Sequence, residues 1–388
     1  SISICNMALL PEPWAAPNRE IALVVAFISL ICWGSWSNTA KAASHIPFAY
    51  YYMDYSFGVF ITASAFFSSL GIMRLNNNST TTTFEEGATY QVAAAFGAGA
   101  VFNIGNLLLV VGIQIAGLSI AFPLAIGTAL ALGTVLTYVI DQSGDPFFLF
   151  SGVGVGIVAI LVMTRAYHVM HTHRKQIAIS GDKTGDKYTT EEEKISEETS
   201  LIQTSTLEER SFLSKVIICL AAGLLMSLWN PLAAYSRQGE FALTTYTSFL
   251  FYCAAVVVTS PMLLVMQNYH ILIPAVGKQT NFCGYFLIKP SGHLWGLLGG
   301  IIWAVGTLSN LVSGDAIGFA NSYAMGQSAP VVATLWGLLY YKEFKNSPIS
   351  VYIYLGVMFL CYGGAVALIA LGGDPDESGS DNNSTNST

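Results

Sequence analysis

The chain has 388 residues, of which 53% are hydrophobic and only 10% are charged. An ordinary soluble domain carries about 25% charged residues, so the composition excludes that class and indicates an integral membrane protein. The formal net charge of −7 becomes informative only when charges are counted loop by loop.

Apolar runs long enough to cross a bilayer recur along the whole chain. A hydrocarbon core of roughly 30 Å requires about 20 mostly apolar residues. Ten runs meet that requirement: residues 20–40, 50–73, 90–114, 117–140, 147–168, 212–234, 243–266, 292–313, 316–340 and 349–371. We therefore predict an all-α integral membrane protein with ten transmembrane helices, the first of which is a retained helix and not a signal peptide.

The distribution of basic residues predicts the orientation. If ten helices alternate across the membrane, three of the 16 Lys and Arg residues lie on the side of the termini and 13 lie on the other side. The positive-inside rule then places both termini outside the cytosol and the central loop inside it. Four predicted N-glycosylation positions lie on the outer side, in agreement with this orientation: Asn77, Asn78, Asn383 and Asn386.

A polar central segment divides the ten runs into two sets of five. We predict a first five-helix transmembrane half over residues 1–169, a disordered cytosolic linker over 170–210, a second five-helix half over 211–372 and a polar, acidic C-terminal tail over 373–388. The linker contains EETSLI, in which Glu197, Leu201 and Ile202 form an acidic dileucine pattern that cytosolic sorting adaptors recognise. A chance Leu-Ile pair beside a glutamate run explains the pattern equally well.

The two halves resemble each other internally. An offset of 201 residues aligns three glycine pairs without a gap: Gly99 with Gly300, Gly105 with Gly306 and Gly117 with Gly318. Because five is an odd number, two copies of a five-helix unit lie in opposite orientations in the membrane. The sequence therefore predicts a 5+5 inverted repeat, with a substrate site near the midplane between the halves.

Amides and aromatic rings inside the spans are the candidates for that site. An unpaired amide in hydrocarbon costs several kcal/mol, so each amide must face a partner helix or a cavity. Interhelical hydrogen bonding explains any single amide, and an interfacial belt also explains the tryptophans. The set as a whole favours a cavity for a planar, nitrogen-rich ring, lined by Trp33, Trp36, Asn103, Asn106, Trp229, Asn310, Asn321, Tyr323 and Gln327.

Asp54, in YYMDYSFGVF, is the acidic residue that lies within a span and away from its ends. A carboxylate inside a membrane is by default a candidate functional group, and we expect Asp54 to couple transport to protons. An interfacial aspartate hydrogen-bonded by Tyr50, Tyr51 or Tyr55 is the alternative.

Four stretches carry a resemblance to a known family: YMDYSF (52–57), GNLLLVVGIQIAGLSIAFPLAIGTALALGTVLTYVID (105–141), AAGLLMSLWNPLAAYS (221–236) and GQSAPVVATLWGLLYYKEFKNS (326–347). They resemble the plant ureide permease family of the drug/metabolite transporter superfamily. The resemblance implies a ten-helix, proton-coupled carrier for allantoin and related oxo derivatives of nitrogen heterocycles such as uracil. WAVGT (303–307) is similar to sugar-porter-like relatives in the wider superfamily.

The sequence thus predicts a secondary transporter of small polar metabolites that works by alternating access in the plasma membrane or a vacuolar or lysosomal membrane. The alternatives are a sugar or nucleotide-sugar porter and a non-transporting receptor or scaffold. No Ser/His/Asp set, metal cluster or phosphate loop can be assembled, so we expect no enzyme activity, no metal and no cofactor. The expected partners are a small-molecule substrate, protons, the lipid bilayer and sorting adaptors, without nucleic acid.

Overall fold

The protein is a bundle of α-helices. The computed structural model describes residues 15–71, 89–116, 118–181, 212–239, 241–262, 265 and 282–372, and these residues contain no β-strand. Several predicted features lie outside these ranges: residues 182–210 of the linker, the C-terminal tail, the sequons at Asn77, Asn78, Asn383 and Asn386, and the sorting residues Glu197, Leu201 and Ile202.

The helices before the linker are α1 (Arg19–Ser35), α2 (Ser37–Ala42), α3 (Phe48–Phe66), α4 (Thr89–Ala116), α5 (Leu118–Ile140) and α6 (Pro146–Gly181). Those after it are α7 (Phe212–Tyr235), α8 (Thr245–Thr259), α9 (Phe282–Tyr285), α10 (Pro290–Ile317), α11 (Phe319–Gly326), α12 (Pro330–Leu335) and α13 (Ile349–Gly372). Two π-helical turns, Phe67–Gly71 and Trp336–Tyr340, extend α3 and α12.

Local sequence explains where several helices begin. The Asn18 side chain accepts a hydrogen bond from the backbone N–H of Ile21 at 2.9 Å, which satisfies one of the free donors in the first turn of α1. Thr244 caps α8 in the same way, through the N–H of Thr247 at 3.2 Å. At α10, Pro290 occupies the first turn, where its missing N–H costs nothing.

Seven described helical segments are long and apolar enough to cross a membrane. They are Arg19–Ala42, Thr89–Ile113, Pro123–Ile140, Pro146–Ile177, Leu213–Tyr235, Pro290–Ile317 and Ile349–Gly372. The prediction of an all-α, multi-pass membrane protein is therefore confirmed. The count of ten crossings stays a prediction; α3, α8 and the α11–α12 segment lie where the sequence places the other three.

Two predicted spans differ in detail from the structure. The helix predicted to end at residue 168 continues as α6 to Gly181, so the first residues assigned to the linker are helical. The span predicted over 316–340 is divided into α11 and α12, because the chain turns at 327–329 before Pro330 starts a new helix. A proline restricts the residue before it and lacks an N–H, which favours such a break.

Helices from the two halves pack against each other across the bundle. In the first half, α4 packs on α7 and α8, which follow the linker; in the second half, α10 packs on α1 and α3, which precede it. In addition, α13 packs on α6 and α5 packs on α7. This exchange of partners places the interior side chains of α4 and α10 between the halves.

Candidate substrate site and buried polar clusters

Trp229 of α7 is the centre of a buried aromatic cluster. Its ring centroid lies 6.0 Å from that of Trp33 on α1, 5.6 Å from that of Tyr323 on α11 and 5.8 Å from that of Tyr252 on α8. Trp229 is 2% exposed and Tyr323 is fully buried. Three rings that the sequence predicts for the substrate site, each from a different helix, therefore come into direct contact.

Trp303 of α10 extends this cluster to Trp36. The Trp303 centroid lies 4.9 Å from that of Phe102 on α4. It lies 6.0 Å from the centroid of Tyr55 and 6.1 Å from that of Tyr252. Tyr55 in turn lies 5.2 Å from Trp36. We call this continuous set of eight rings the central aromatic cluster: Trp33, Trp36, Tyr55, Phe102, Trp229, Tyr252, Trp303 and Tyr323.

The hydroxyl groups of Tyr55 and Tyr252 are buried in the central aromatic cluster, and neither has a hydrogen-bond partner among the described residues. A buried hydroxyl without a partner is unfavourable by roughly 1–3 kcal/mol. These two groups therefore offer a bound polar molecule two hydrogen bonds beside stacked rings.

Sequence reasoning missed Tyr55, Tyr252 and Trp303. Tyrosine and tryptophan in membrane helices are commonly assigned to the lipid interface, which hides an interior role. One signal was present in the sequence: Tyr252 follows Tyr55 by 197 residues, close to the repeat offset of 201. Aligning all aromatic residues, in addition to the glycines, would have indicated the pair.

The predicted amides Asn103 and Asn106 meet at one tyrosine. The Tyr52 hydroxyl donates to Asn103 Oδ1 at 2.6 Å and accepts from Asn106 Nδ2 at 3.0 Å. Asn103 also donates to the hydroxyl of Thr259 at 2.8 Å, so it links α3, α4 and the end of α8. Its hydrogen-bonding capacity is largely used by helix partners, whereas the Asn106 carbonyl oxygen has no such bond among the described residues.

Asn310 lies beside the break between α11 and α12. It donates to the carbonyl of Ser322 at 2.7 Å, and Gly326 lies against both Asn310 and the ring of Trp33. Gln327 begins the turn and is half-buried. The break thus faces α1 and brings three predicted site residues into one neighbourhood.

Asn321 lies apart from these groups. Its Nδ2 donates to the carbonyl of Ile317 at 2.8 Å, and its Oδ1 is buried without a partner among the described residues. It lies beside Gly144 and Gly318, at the end of the bundle where α5 ends and α11 begins. The structure does not bring Asn321 to the central aromatic cluster.

Asp54 has two partners that the sequence did not indicate. His293 Nδ1 lies 2.8 Å from Asp54 Oδ2 and 3.0 Å from Oδ1, and the Tyr285 hydroxyl donates to Oδ1. Burial, together with the hydrogen bond and charge of Asp54, raises the pKa of Tyr285, which keeps the phenol protonated as a donor. We call these three residues the Asp54 cluster; it joins α3 to α9 and α10.

A second charged cluster lies at the opposite end of α10. Arg237, whose side chain is 3% exposed, contacts Asp315 at 3.1 Å and donates to the carbonyl of Leu311 at 2.8 Å. Thr245 donates to the other oxygen of Asp315 at 2.6 Å. Burial lowers the pKa of Arg237, and the charges of Asp315 and Asp141 act in the opposite direction.

A third charged contact joins three segments that the count of basic residues predicts on the cytosolic side. Lys41, at the end of α2, forms an ion pair with Glu343 at 2.6 Å, and Arg174 of α6 donates to the Glu343 backbone carbonyl. Three segments that the alternation of helices assigns to the same side therefore meet at one end of the bundle. Among the described residues, no group of three or more His, Cys, Asp or Glu side chains could hold a metal ion.

The amino-acid sequence matches a known protein family. The family model described as "Ureide permease" matches residues 51–215 and 205–371. Ureide permease 5 of Arabidopsis thaliana is 26% identical over 92% of this chain and 95% of its own length, and ureide permease 2 of the same plant is 24% identical over 89% and 95%. A solved crystal structure with 14% identity covers 91% of this chain and 99% of its own, with a TM-score of 0.51, and so supports the fold. These matches indicate a transporter and not an enzyme, and the chain belongs to the ureide permease family.

Proposed function

We propose that this protein carries small, polar, nitrogen-rich metabolites such as allantoin, uracil or related heterocycles across a membrane, coupled to protons at Asp54. The observation that carries the proposal is the central aromatic cluster with its two partnerless hydroxyls, those of Tyr55 and Tyr252. The names of the similar plant permeases support the substrate class.

The chemistry of the cluster suits this class of substrate. A ureide or pyrimidine ring is planar and presents adjacent carbonyl and N–H groups along its edge. Aromatic side chains bind such a ring through stacking, and phenol hydroxyls both donate and accept hydrogen bonds. Asn106 lies one helical turn from Phe102, and its carbonyl oxygen, which accepts no hydrogen bond from the described residues, supplies an additional acceptor for a ring N–H.

Alternating access requires contacts that can close either end of the pathway. The Asp54 cluster lies near the start of α10 and the Arg237–Asp315 pair lies near its end. His293 and Asp315 are 22 residues apart on this helix, which corresponds to about 33 Å at 1.5 Å per residue. We infer that these contacts open in turn, while the break between α11 and α12 gives the chain a point at which to bend.

The direct test is uptake of radiolabelled allantoin and uracil into proteoliposomes, with and without an inward proton gradient. Glucose serves as the comparison compound for the sugar-porter alternative. We expect gradient-driven accumulation of at least one nitrogen compound, lost in Asp54→Asn. Asp145→Asn is the matched control, because Asp145 is exposed and asparagine also caps a helix N-terminus well.

The other outcomes separate the alternatives. Uptake of glucose without uptake of either nitrogen compound would support a sugar porter. Absence of uptake for every compound, with correctly folded protein, would contradict a transporter and favour a receptor or scaffold. Accumulation that persists in Asp54→Asn would remove Asp54 from the coupling mechanism while leaving the substrate proposal intact.

A further inference from the structure

We propose that Asp54 and His293 form one proton-binding unit, in which His293 exchanges the proton with water and Tyr285 orients the Asp54 carboxylate. This inference rests on the proposed proton-coupled transport and assigns the coupling to a pair of residues from the two halves of the chain. The sequence separates the pair by 239 positions, and the packing of α3 on α10 brings it together.

The geometry fits an imidazole that shares its charge with a carboxylate. Nδ1 of His293 lies 2.8 and 3.0 Å from the two oxygens of Asp54, within hydrogen-bond distance of both. The other ring nitrogen remains available for a second proton. The Tyr285 phenol donates to the same carboxylate, so the carboxylate is held by two donors from outside α3.

Exposure assigns different tasks to the two members of the pair. The side chain of Asp54 is 5% exposed, whereas that of His293 is 28% exposed. In the proposed unit, His293 is therefore the member that is placed to exchange the proton with water. Imidazole is also the side chain that ordinarily changes charge between about pH 5 and pH 8.

Charge balance explains how the proton affects the helices. With a neutral imidazole donating from Nδ1, the pair carries one negative charge. One proton taken from water onto the second ring nitrogen produces an imidazolium beside a carboxylate, with no net charge; release of that proton to water restores the first state. A buried net charge is more unfavourable than a neutral pair, so loading stabilises the packed state of α3 on α10.

The surroundings contain no competing group that titrates near neutral pH among the described residues that face the pair. Tyr50 and Tyr51 come from α3, Tyr285 comes from α9, and Lys289 lies one turn before His293 at the start of α10. Tyrosine and lysine ordinarily change charge well above neutral pH. A pH-dependent imidazole band that is lost in His293→Gln therefore reports on the Asp54–His293 pair and not on a neighbour that faces it.

The first test measures protonation without any substrate. Infrared difference spectra of the purified full-length protein between about pH 8 and pH 5 should show an imidazole band that disappears in His293→Gln and persists in the control His168→Gln, which alters an exposed histidine of α6. In Asp54→Asn the pH dependence of the same band should change, because the imidazole loses the carboxylate with which it shares a proton. In Tyr285→Phe the band should persist with a changed pH dependence, because the carboxylate loses one of its two donors. An imidazole band that titrates at the same pH in Asp54→Asn, or none assignable to His293, would overturn the unit.

The second test measures coupling. In proteoliposomes, gradient-driven accumulation by His293→Gln should fall to its level without a gradient, while exchange of substrate across the membrane stays measurable. Accumulation by His293→Gln equal to that of the parent would overturn the inference and leave the proposed transport in place. A coupled imidazole titration in a protein that carries neither nitrogen compound would instead retain the proton unit and contradict the proposed substrates.

Discussion

Gly99 and Gly300 contact the same kind of neighbour in the two halves of the chain. A Cβ atom built on Gly99 would lie 2.0 Å from the carbonyl oxygen of Tyr252, and one built on Gly300 would lie 2.0 Å from the carbonyl oxygen of Tyr55. In each contact, a glycine of one half meets a tyrosine of the other half: Gly99 meets Tyr252, and Gly300 meets Tyr55. An inverted repeat predicts this kind of correspondence, and the repeat itself stays a prediction.

The first prediction concerns these two glycines. Gly99→Ala and Gly300→Ala should each destabilise the protein by about 1–3 kcal/mol, because the new methyl group forces two helix backbones apart. The measurement is the thermal midpoint in detergent. Gly363→Ala is the control: nothing lies within 4 Å of a Cβ there, so it should be neutral or slightly stabilising. Equal effects at all three positions would contradict the role of close packing.

The second prediction concerns the partnerless hydroxyls. Tyr55→Phe and Tyr252→Phe should not lower the stability of the protein, since each removes a buried group without a hydrogen-bond partner among the described residues. Each should raise the KM for the transported compound about 3- to 10-fold, the value of one neutral hydrogen bond. Tyr362→Phe removes another hydroxyl, on α13, that has no partner in the part of the chain that the structure describes, and it should leave KM unchanged. An unchanged KM in both cluster variants would exclude the two hydroxyls as substrate contacts.

The third prediction concerns the hydrogen bond between Tyr52 and Asn103. Tyr52→Phe should destabilise the protein by about 1–3 kcal/mol, because it leaves a buried amide oxygen of Asn103 without its donor. Thermal unfolding in detergent measures the effect. The contrast with Tyr55→Phe is informative, because both tyrosines are fully buried and differ in whether the hydroxyl has a partner. A stability equal to that of the parent would contradict the interaction.

The fourth prediction compares two ion pairs with different exposure. Arg237→Ala should destabilise the protein by about 1–3 kcal/mol, because it removes a 3% exposed guanidinium that donates to the Leu311 backbone carbonyl and pairs with Asp315, whose side chain is 36% exposed. Lys41→Ala should change stability by less than about 1 kcal/mol, since the side chains of Lys41 and Glu343 are 46% and 33% exposed. A comparison of the two thermal midpoints at low and high salt checks both expectations, because salt screens a pair more strongly when both of its side chains are exposed.

Much of the candidate site could be predicted from residue type and position alone. Amides inside apolar runs are costly unless they have partners, so the sequence predicts a shared site for them and for the rings nearby. The structure brings the rings of Trp33, Trp229 and Tyr323 together. The same argument selected Asn321, which the structure places at the end of the bundle. The cost of burial identifies a group that needs a partner without saying which partner it has.

The sequence by itself determined the membrane class, the positions of the apolar helices and the family. It also identified Asp54 as the candidate residue for proton coupling. These properties follow from local hydropathy and from short motifs, which need no knowledge of neighbouring helices. The tertiary structure alone decided that His293 faces Asp54, that Trp303 contacts Tyr55 and Tyr252, and that the ninth predicted span is broken at 327–329. Such contacts depend on the rotation and separation of packed helices, which side-chain packing across the whole bundle sets and no local pattern encodes.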